Sequence, residues 1–318
     1  METTAPETSK KSPTPELKFV YTIHSQEYVG KVLEAVADCD ALAIEWVGGS
    51  HEKRLDLMFR ANDISCGRVS PEKLEEALQY FKNKQDDWDY RLIKGLYGSN
   101  KLILPIDASG TQELRELEEK EVAEYDAYYN SLGGPIRTSL EVLGRHIDST
   151  AAVYGFREQE VAEQIKSWLE NKASQSAQYK IAVVQGSAHV ATSTYLRKQG
   201  YKSNREFINW DPERHSLKFA FSYFNEAVRT KVLHPEIEIP LSMKEHVLLE
   251  SYYGIFVLGD EPKAKNEARQ NIATLGDEEV HEVLEGLDPL MQNTKKAWML
   301  AFRLRRHLKK RVERTPTH

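Results

Sequence analysis

The stretch YKIAVVQGSAHVATSTYLRKQGY, residues 179–201, decides how this chain is read. Its apolar, β-branched opening (179–185) suits a strand. It stops at the tetrapeptide Gly186-Ser187-Ala188-His189, and a helical pattern follows over 189–199, closed by Gly200 as a C-cap. A histidine therefore stands where a strand hands over to a helix. Gly186 lets the chain turn sharply off the strand, and His189 opens the helix.

Working outward, residues 17–23 (LKFVYTI) are β-branched and aromatic and read as a strand followed by His24. Tyr28, Val29, Val32, Leu33 and Val36 then recur at helical spacing, with Ser25 as a candidate N-cap. The run ALAIEW (41–46) reads as a second buried strand, so 17–46 is a βαβ unit with parallel strands. Further on, Ser70-Pro71 opens a helix, 89–97 continues as helix, and KLILPID (101–107) is a third strand. An acidic helix covers 111–130 and ends at Gly133-Gly134-Pro135. Separate helices are expected over roughly 136–151 and 156–171. EFINW (206–210) and SLKFAFSYF (216–224) suggest a late antiparallel hairpin, and helical patterns resume from about 241. The fold expected is α/β, with a mainly parallel central sheet flanked by helices. Residues 1–16 read as a disordered tail, 17–230 as the α/β core and 231–318 as a helical C-terminal extension.

Composition narrows the function classes. The net charge of −6 disfavours nucleic-acid binding. Two cysteines, Cys39 and Cys66, with no CxxC spacing disfavour a disulfide framework or a zinc finger. The Thr-, Pro- and Lys-rich start lacks the apolar segment of a signal peptide, and no run approaches the roughly eighteen apolar residues of a membrane span. A cytoplasmic location is expected. No GxSxG, P-loop or strand-linked GxGxxG occurs, so serine hydrolase, NTPase and Rossmann oxidoreductase readings fall away.

Ligands of open parallel sheets bind beyond the carboxyl ends of the strands. His24, Glu45 and His189 each stand at such an end, and together they form a competent set for a divalent metal. Taken singly, a histidine at a strand end is ordinarily a hydrogen-bonding surface residue. Glu45 is stranger: it ends an apolar run and precedes Trp46, where a carboxylate is costly unless paired or ligated. Arg157 lies on the inward stripe of its helix, four residues before Val161, and must find an anion, a carbonyl or a substrate group unless its head reaches water.

This order of motifs resembles the TraB/GumN/TIKI superfamily, with its ChaN-like and erythromycin-esterase-like relatives. The resemblance is carried by Gly186-Ser187-Ala188-His189 as a Gly-x-x-His motif, by Glu45 in AIEW and by REQEVA (157–162), with Val161 where the family has Met. The N-terminal copy is Tyr21-Thr22-Ile23-His24, with tyrosine in place of the family glycine. The resemblance covers about 17–210. It implies a site at the carboxyl edge of the sheet, with His24, Glu45 and His189 as metal ligands and Gly186 beside the cofactor. In some members it implies metal-dependent peptidase activity.

A metal-dependent hydrolase of a peptide or ester bond is therefore the leading expectation, with a divalent ion (Mn, Co, Zn or Fe). Glu45 serves as ligand or general base, and Arg157 positions substrate or stabilises negative charge. The alternatives are a non-catalytic metal-, haem- or small-ligand-binding protein, and an interaction protein on the same fold. The basic helix expected at 303–314, with Leu304, Leu308 and Val312 on one stripe, is a candidate docking element for a partner.

Overall fold

The computed structural model describes residues 16–22, 24–46, 51–82, 87–107, 110–173, 179–186, 189, 191–208, 210–211, 216–217, 223–254, 272–273 and 275–291. Residues 1–15 of the expected tail, Ile23, the Ser187-Ala188 dipeptide and the basic segment 303–314 lie outside the described residues, and Glu16, placed in the tail, begins the first strand. By contact the chain divides into two compact units, one of residues 1–110 and 157–210, the other of 111–156 and 211–318.

The first unit is built on five parallel strands: β1 (Glu16–Thr22), β2 (Ala41–Glu45), β3 (Leu102–Ile106), β4 (Lys180–Gly186) and β5 (Ser203–Phe207). Their order is β3-β2-β4-β1-β5. The expectation of a parallel α/β sheet is met, and β4 lies between β1 and β2. Between the strands lie α1 (Val29–Ala35), α2 (His51–Ser65), α3 (Leu74–Leu78), α4 (Trp88–Gly95), the second part of α6 and α7 (Ala191–Lys198).

Strand alternation sorts the core into two layers. Val20, Leu42, Ile44, Ala182 and Val184 pack against α1, α2 and α4 through residues such as Val32, Ile64 and Leu92. Phe19, Tyr21, Ala43, Ile181 and Val183 point to the opposite face, where Val161, Ile165 and Leu169 of α6 and Leu196 of α7 cover them. Handedness explains the division. The connections from β1 to β2 and from β2 to β3 run towards one edge of the sheet, and that from β4 to β5 towards the other. Right-handed crossovers must then place their helices on opposite faces. The chain leaves β2 and β4, which are adjacent, in opposite senses, and this opens a crevice at their carboxyl ends.

The outer edge of β3 is closed by its own neighbour. Ile103 turns its backbone outward, where Asn62 of α2 accepts from its N–H at 2.9 Å and donates to its carbonyl at 2.9 Å. Two residues on, Pro105 has no N–H to offer, so little of this edge remains to recruit another strand.

Three local expectations are corrected. The segment 136–173 is one helix, α6 (Ile136–Ala173), without a break at Gly155. A helix-interior glycine costs only about 1 kcal/mol relative to alanine, too little to end a helix whose apolar stripe continues. The fifth strand begins at Ser203 and joins the parallel sheet beside β1, instead of forming a hairpin arm over 206–210. Among the described residues, Trp210–Asp211 (β6) and Ser216–Leu217 (β7) pair as a separate ribbon within the expected hairpin, residues 218–222 of its second arm lie outside the described residues, and Tyr223 begins α8 (Tyr223–Leu233).

The second unit contains α5 (Gln112–Ser131), the first part of α6, α8, α9 (Leu241–Tyr252) and α10 (Asp277–Met291). Thr111 caps α5 by accepting from the Leu114 N–H at 3.2 Å. At its centre the buried His146 ring stacks between Tyr128 and Phe224, with centroids 5.9 and 5.0 Å away. Among the described residues, no helix is long and apolar enough to cross a membrane.

Candidate active site

Glu45 is the last residue of β2. Alternation turns it to the same face as Ala41 and Ala43, towards α6, while Trp46 enters the core on the opposite face. Burial of a carboxylate at 7% exposure demands partners, and the crevice supplies them. The Gly186 N–H at the end of β4 donates to Glu45 Oε2 at 3.0 Å. His189 Nε2 lies 3.2 Å from Oε1, and the Arg157 guanidinium stands 3.8 Å from the same oxygen.

Gly186 is part of this geometry. A Cβ at that position would lie 3.4 Å from His189 Cδ2 and 3.7 Å from Glu45 Oε2. Alanine would just touch both groups, and a larger side chain would enter the space they share. The His189 N–H donates to the Gly186 carbonyl at 3.0 Å, which folds the histidine back over the end of its strand.

Behind His189 stands a residue that was not singled out from the sequence. Glu158 of α6 is 2% exposed, with Oε1 3.8 Å from His189 Nδ1. Its Oε2 accepts from the Thr192 N–H at 2.7 Å, at the start of α7. It therefore anchors the helix N-terminus and the imidazole together. The signal was present in the sequence: Glu158, Ala162, Ile165 and Leu169 recur at helical spacing on the inward stripe.

Asp107, just beyond β3, accepts from Arg157 at 2.9 Å and from Arg54 of α2 at 3.2 Å. Gln164 donates to its backbone carbonyl at 2.6 Å. Arg157 is thus held between Asp107 and Glu45, in the interior of α6 and not at a helix start. A continuous polar chain runs Arg54, Asp107, Arg157, Glu45, His189, Glu158, Thr192.

The charges are mutually supporting. Burial alone would push the Glu45 carboxyl up, but His189, the Gly186 N–H, His24 and Arg157 outweigh it and hold the group below the usual carboxylate range. Burial likewise disfavours a charged His189, yet Glu158 and Glu45 overcome it and raise the imidazole above its ordinary value. A carboxylate shifted towards its ionised form beside an imidazole shifted towards its protonated form is a base–acid pair.

His24 follows β1 and stacks on Trp88 of α4, with ring centroids 5.3 Å apart and planes at 9°. It contributes charge near Glu45 but is not gathered with Glu45 and His189 into one ligand set. Among the described residues, no group of three or more His, Cys, Asp or Glu side chains is arranged to hold a metal ion. The three-ligand divalent centre that the resemblance implies has no counterpart among the described residues, and no step below passes through a metal. Tyr21, where the family has glycine, is fully buried in the α6-facing layer and stacks on Phe207 at 4.9 Å. Burial pushes its phenol up to about 12. Compared with protein-family models, curated proteins and solved structures, the chain finds no match in any of the three.

Proposed function

We propose that this protein is a hydrolase of ester or peptide bonds, working through the Glu45–His189 pair at the carboxyl edge of the sheet. The observation that carries the reading is the buried Glu45 and the half-buried His189, 3.2 Å apart in the crevice between β2 and β4, with Glu158 behind the imidazole. It also accords with the motif resemblance to the TraB/GumN/TIKI superfamily. Glu45 takes a proton from water as the water oxygen attacks the substrate carbonyl. The oxyanion that forms lies near Arg157 and the His189 imidazolium, whose charges stabilise it more than the neutral ground state. Collapse expels the alcohol or amine, which takes its proton from His189 Nε2. The proton on Glu45 then passes to His189, and the pair is restored with one water consumed.

Purified wild-type protein, dialysed against chelator, is assayed on panels of p-nitrophenyl esters and short peptides, alongside Glu45→Gln and His189→Asn. Loss of about 100-fold or more in kcat/KM in both variants supports the reading. Binding without turnover in the wild type would make the protein a small-ligand binder instead. Activity that appears only after addition of Mn, Co, Zn or Fe would replace the metal-free scheme with a metal-dependent one.

A further inference from the structure

A cavity of about 590 Å³ lies in the α/β unit, beside β3. Its floor is Ala43, Leu104, Ile106 and Ile181, the α6-facing side chains of the sheet. Met58 of α2 forms one wall and Trp168 of α6 another, while Arg54 and Asp107 close the end at the carboxyl edge. Close-packed interiors carry few voids larger than a water molecule. A space of this size, apolar over its floor, with polar side chains of α6 along one wall and Arg54 and Asp107 at the carboxyl edge, has the form of a ligand pocket.

Two alignments relate the cavity to the Glu45–His189 pair. Ile181 is in register with Ala41 and Ile106 with Glu45. The floor thus climbs four strand steps, about 13 Å, to the level of the carboxylate. On α6, Glu160, Gln164, Ser167 and Asn171 line the cavity at helical spacing, and Arg157 heads the same stripe. Arg157, which faces the reacting carbonyl in the scheme above, therefore stands at the carboxyl-edge end of this wall, over an apolar floor.

We propose that this cavity receives the apolar tail of the substrate, an ester or amide of a medium-chain carboxylic acid, with its carbonyl at Glu45, His189 and Arg157. The inference rests on the hydrolase reading above and names its substrate class. A neutral carbonyl head suits this end, because Arg54 and Arg157 already share Asp107.

Two measurements separate this inference from the reading beneath it. Hydrolysis of p-nitrophenyl acetate and octanoate is compared in wild type, in Leu104→Trp, which fills the cavity from its floor, and in Ser167→Trp, which narrows it from the exposed face of α6. The wild type should favour octanoate by at least about tenfold in kcat/KM, since each buried methylene is worth roughly 0.8 kcal/mol. In the two variants the octanoate value should fall towards the acetate value, so that the preference is lost. Independently, calorimetric titration of N-methyl octanamide into Glu45→Gln should show one-site binding that either tryptophan weakens at least about tenfold. Binding of the amide without cleavage of any ester would sink the hydrolase reading and leave the cavity assignment standing. No binding, or binding unchanged in both tryptophan variants with native circular dichroism, would overturn the cavity assignment.

Discussion

His189 Nε2 lies 3.2 Å from Glu45 Oε1, although 141 residues separate the strand ends that Gly186 and Glu45 occupy. Neither group would tolerate its burial alone. The Gly186 N–H fixes the carboxylate and Glu158 the imidazole, so each charge is what makes the other affordable.

The pair makes stability depend on pH in a defined sense. His189 has a raised folded-state value, so its contribution is complete below the unfolded value of about 6.5 and is lost as pH rises through the higher folded value. Glu45 has a depressed value, so its contribution is complete above about 4.3 and is lost as pH falls through the lower folded one. The difference in urea midpoint between wild type and Glu45→Gln should be largest between these two limits and shrink on either side. A difference independent of pH would contradict the ion pair.

Glu158 is a positioning residue, and its charge should be visible in catalysis. In Glu158→Gln the amide oxygen can still accept from the Thr192 N–H, so the fold should persist. The loss of charge should move the alkaline limb of the kcat/KM profile to lower pH. A purely structural role would lower activity without moving that limb. Glu158→Ala, which leaves the Thr192 N–H without its acceptor, should cost a further 1–3 kcal/mol or so in urea unfolding.

Asn62 protects a sheet edge. Asn62→Ala removes both bonds to the Ile103 backbone and should destabilise the α/β unit by about 1–2 kcal/mol. It should also raise the fraction of oligomer in size-exclusion chromatography, because the Ile103 N–H and carbonyl become available to another strand. Monomeric protein of unchanged midpoint would show that the edge needs no guard.

His146 predicts acid sensitivity in the helical unit. Burial between Tyr128 and Phe224 holds its imidazole below the ordinary value, with Glu124 opposing. A depressed histidine gives stability that is complete above about pH 6.5 and is lost as pH falls towards the folded value. His146→Leu should flatten the decline of Tm between pH 7 and pH 5. An identical decline in the variant would assign the acid loss to other groups.

Much of the site was legible because burial of polar groups leaves a mark on the sequence. Glu45 stood out as a carboxylate closing an apolar run, and Gly186 and His189 as the interruption between strand and helix. Glu158 is harder to see because it adjoins the oppositely charged Arg157, and an Arg-Glu pair in a helix ordinarily reads as a solvated face. The fifth strand, Ser-Asn-Arg-Glu-Phe, is an edge strand with its middle residues exposed, so it lacks the alternation that marks a half-buried one. The helix α2 leaves little mark on the sequence, because Gly48-Gly49 precedes it and its inward stripe is thin. The unity of α6 was hidden by Gly155, whose local preference is outweighed by packing along the rest of the helix.

The charge state of His189 is the most direct test of the acid–base pair. NMR titration of the histidine rings, assigned with His189→Asn, should show His189 titrating above the ordinary imidazole value in wild type and moving down in Glu45→Gln. A His189 ring that titrates at or below the ordinary value, and does not respond to Glu45→Gln, would contradict the pair and the hydrolytic scheme built on it.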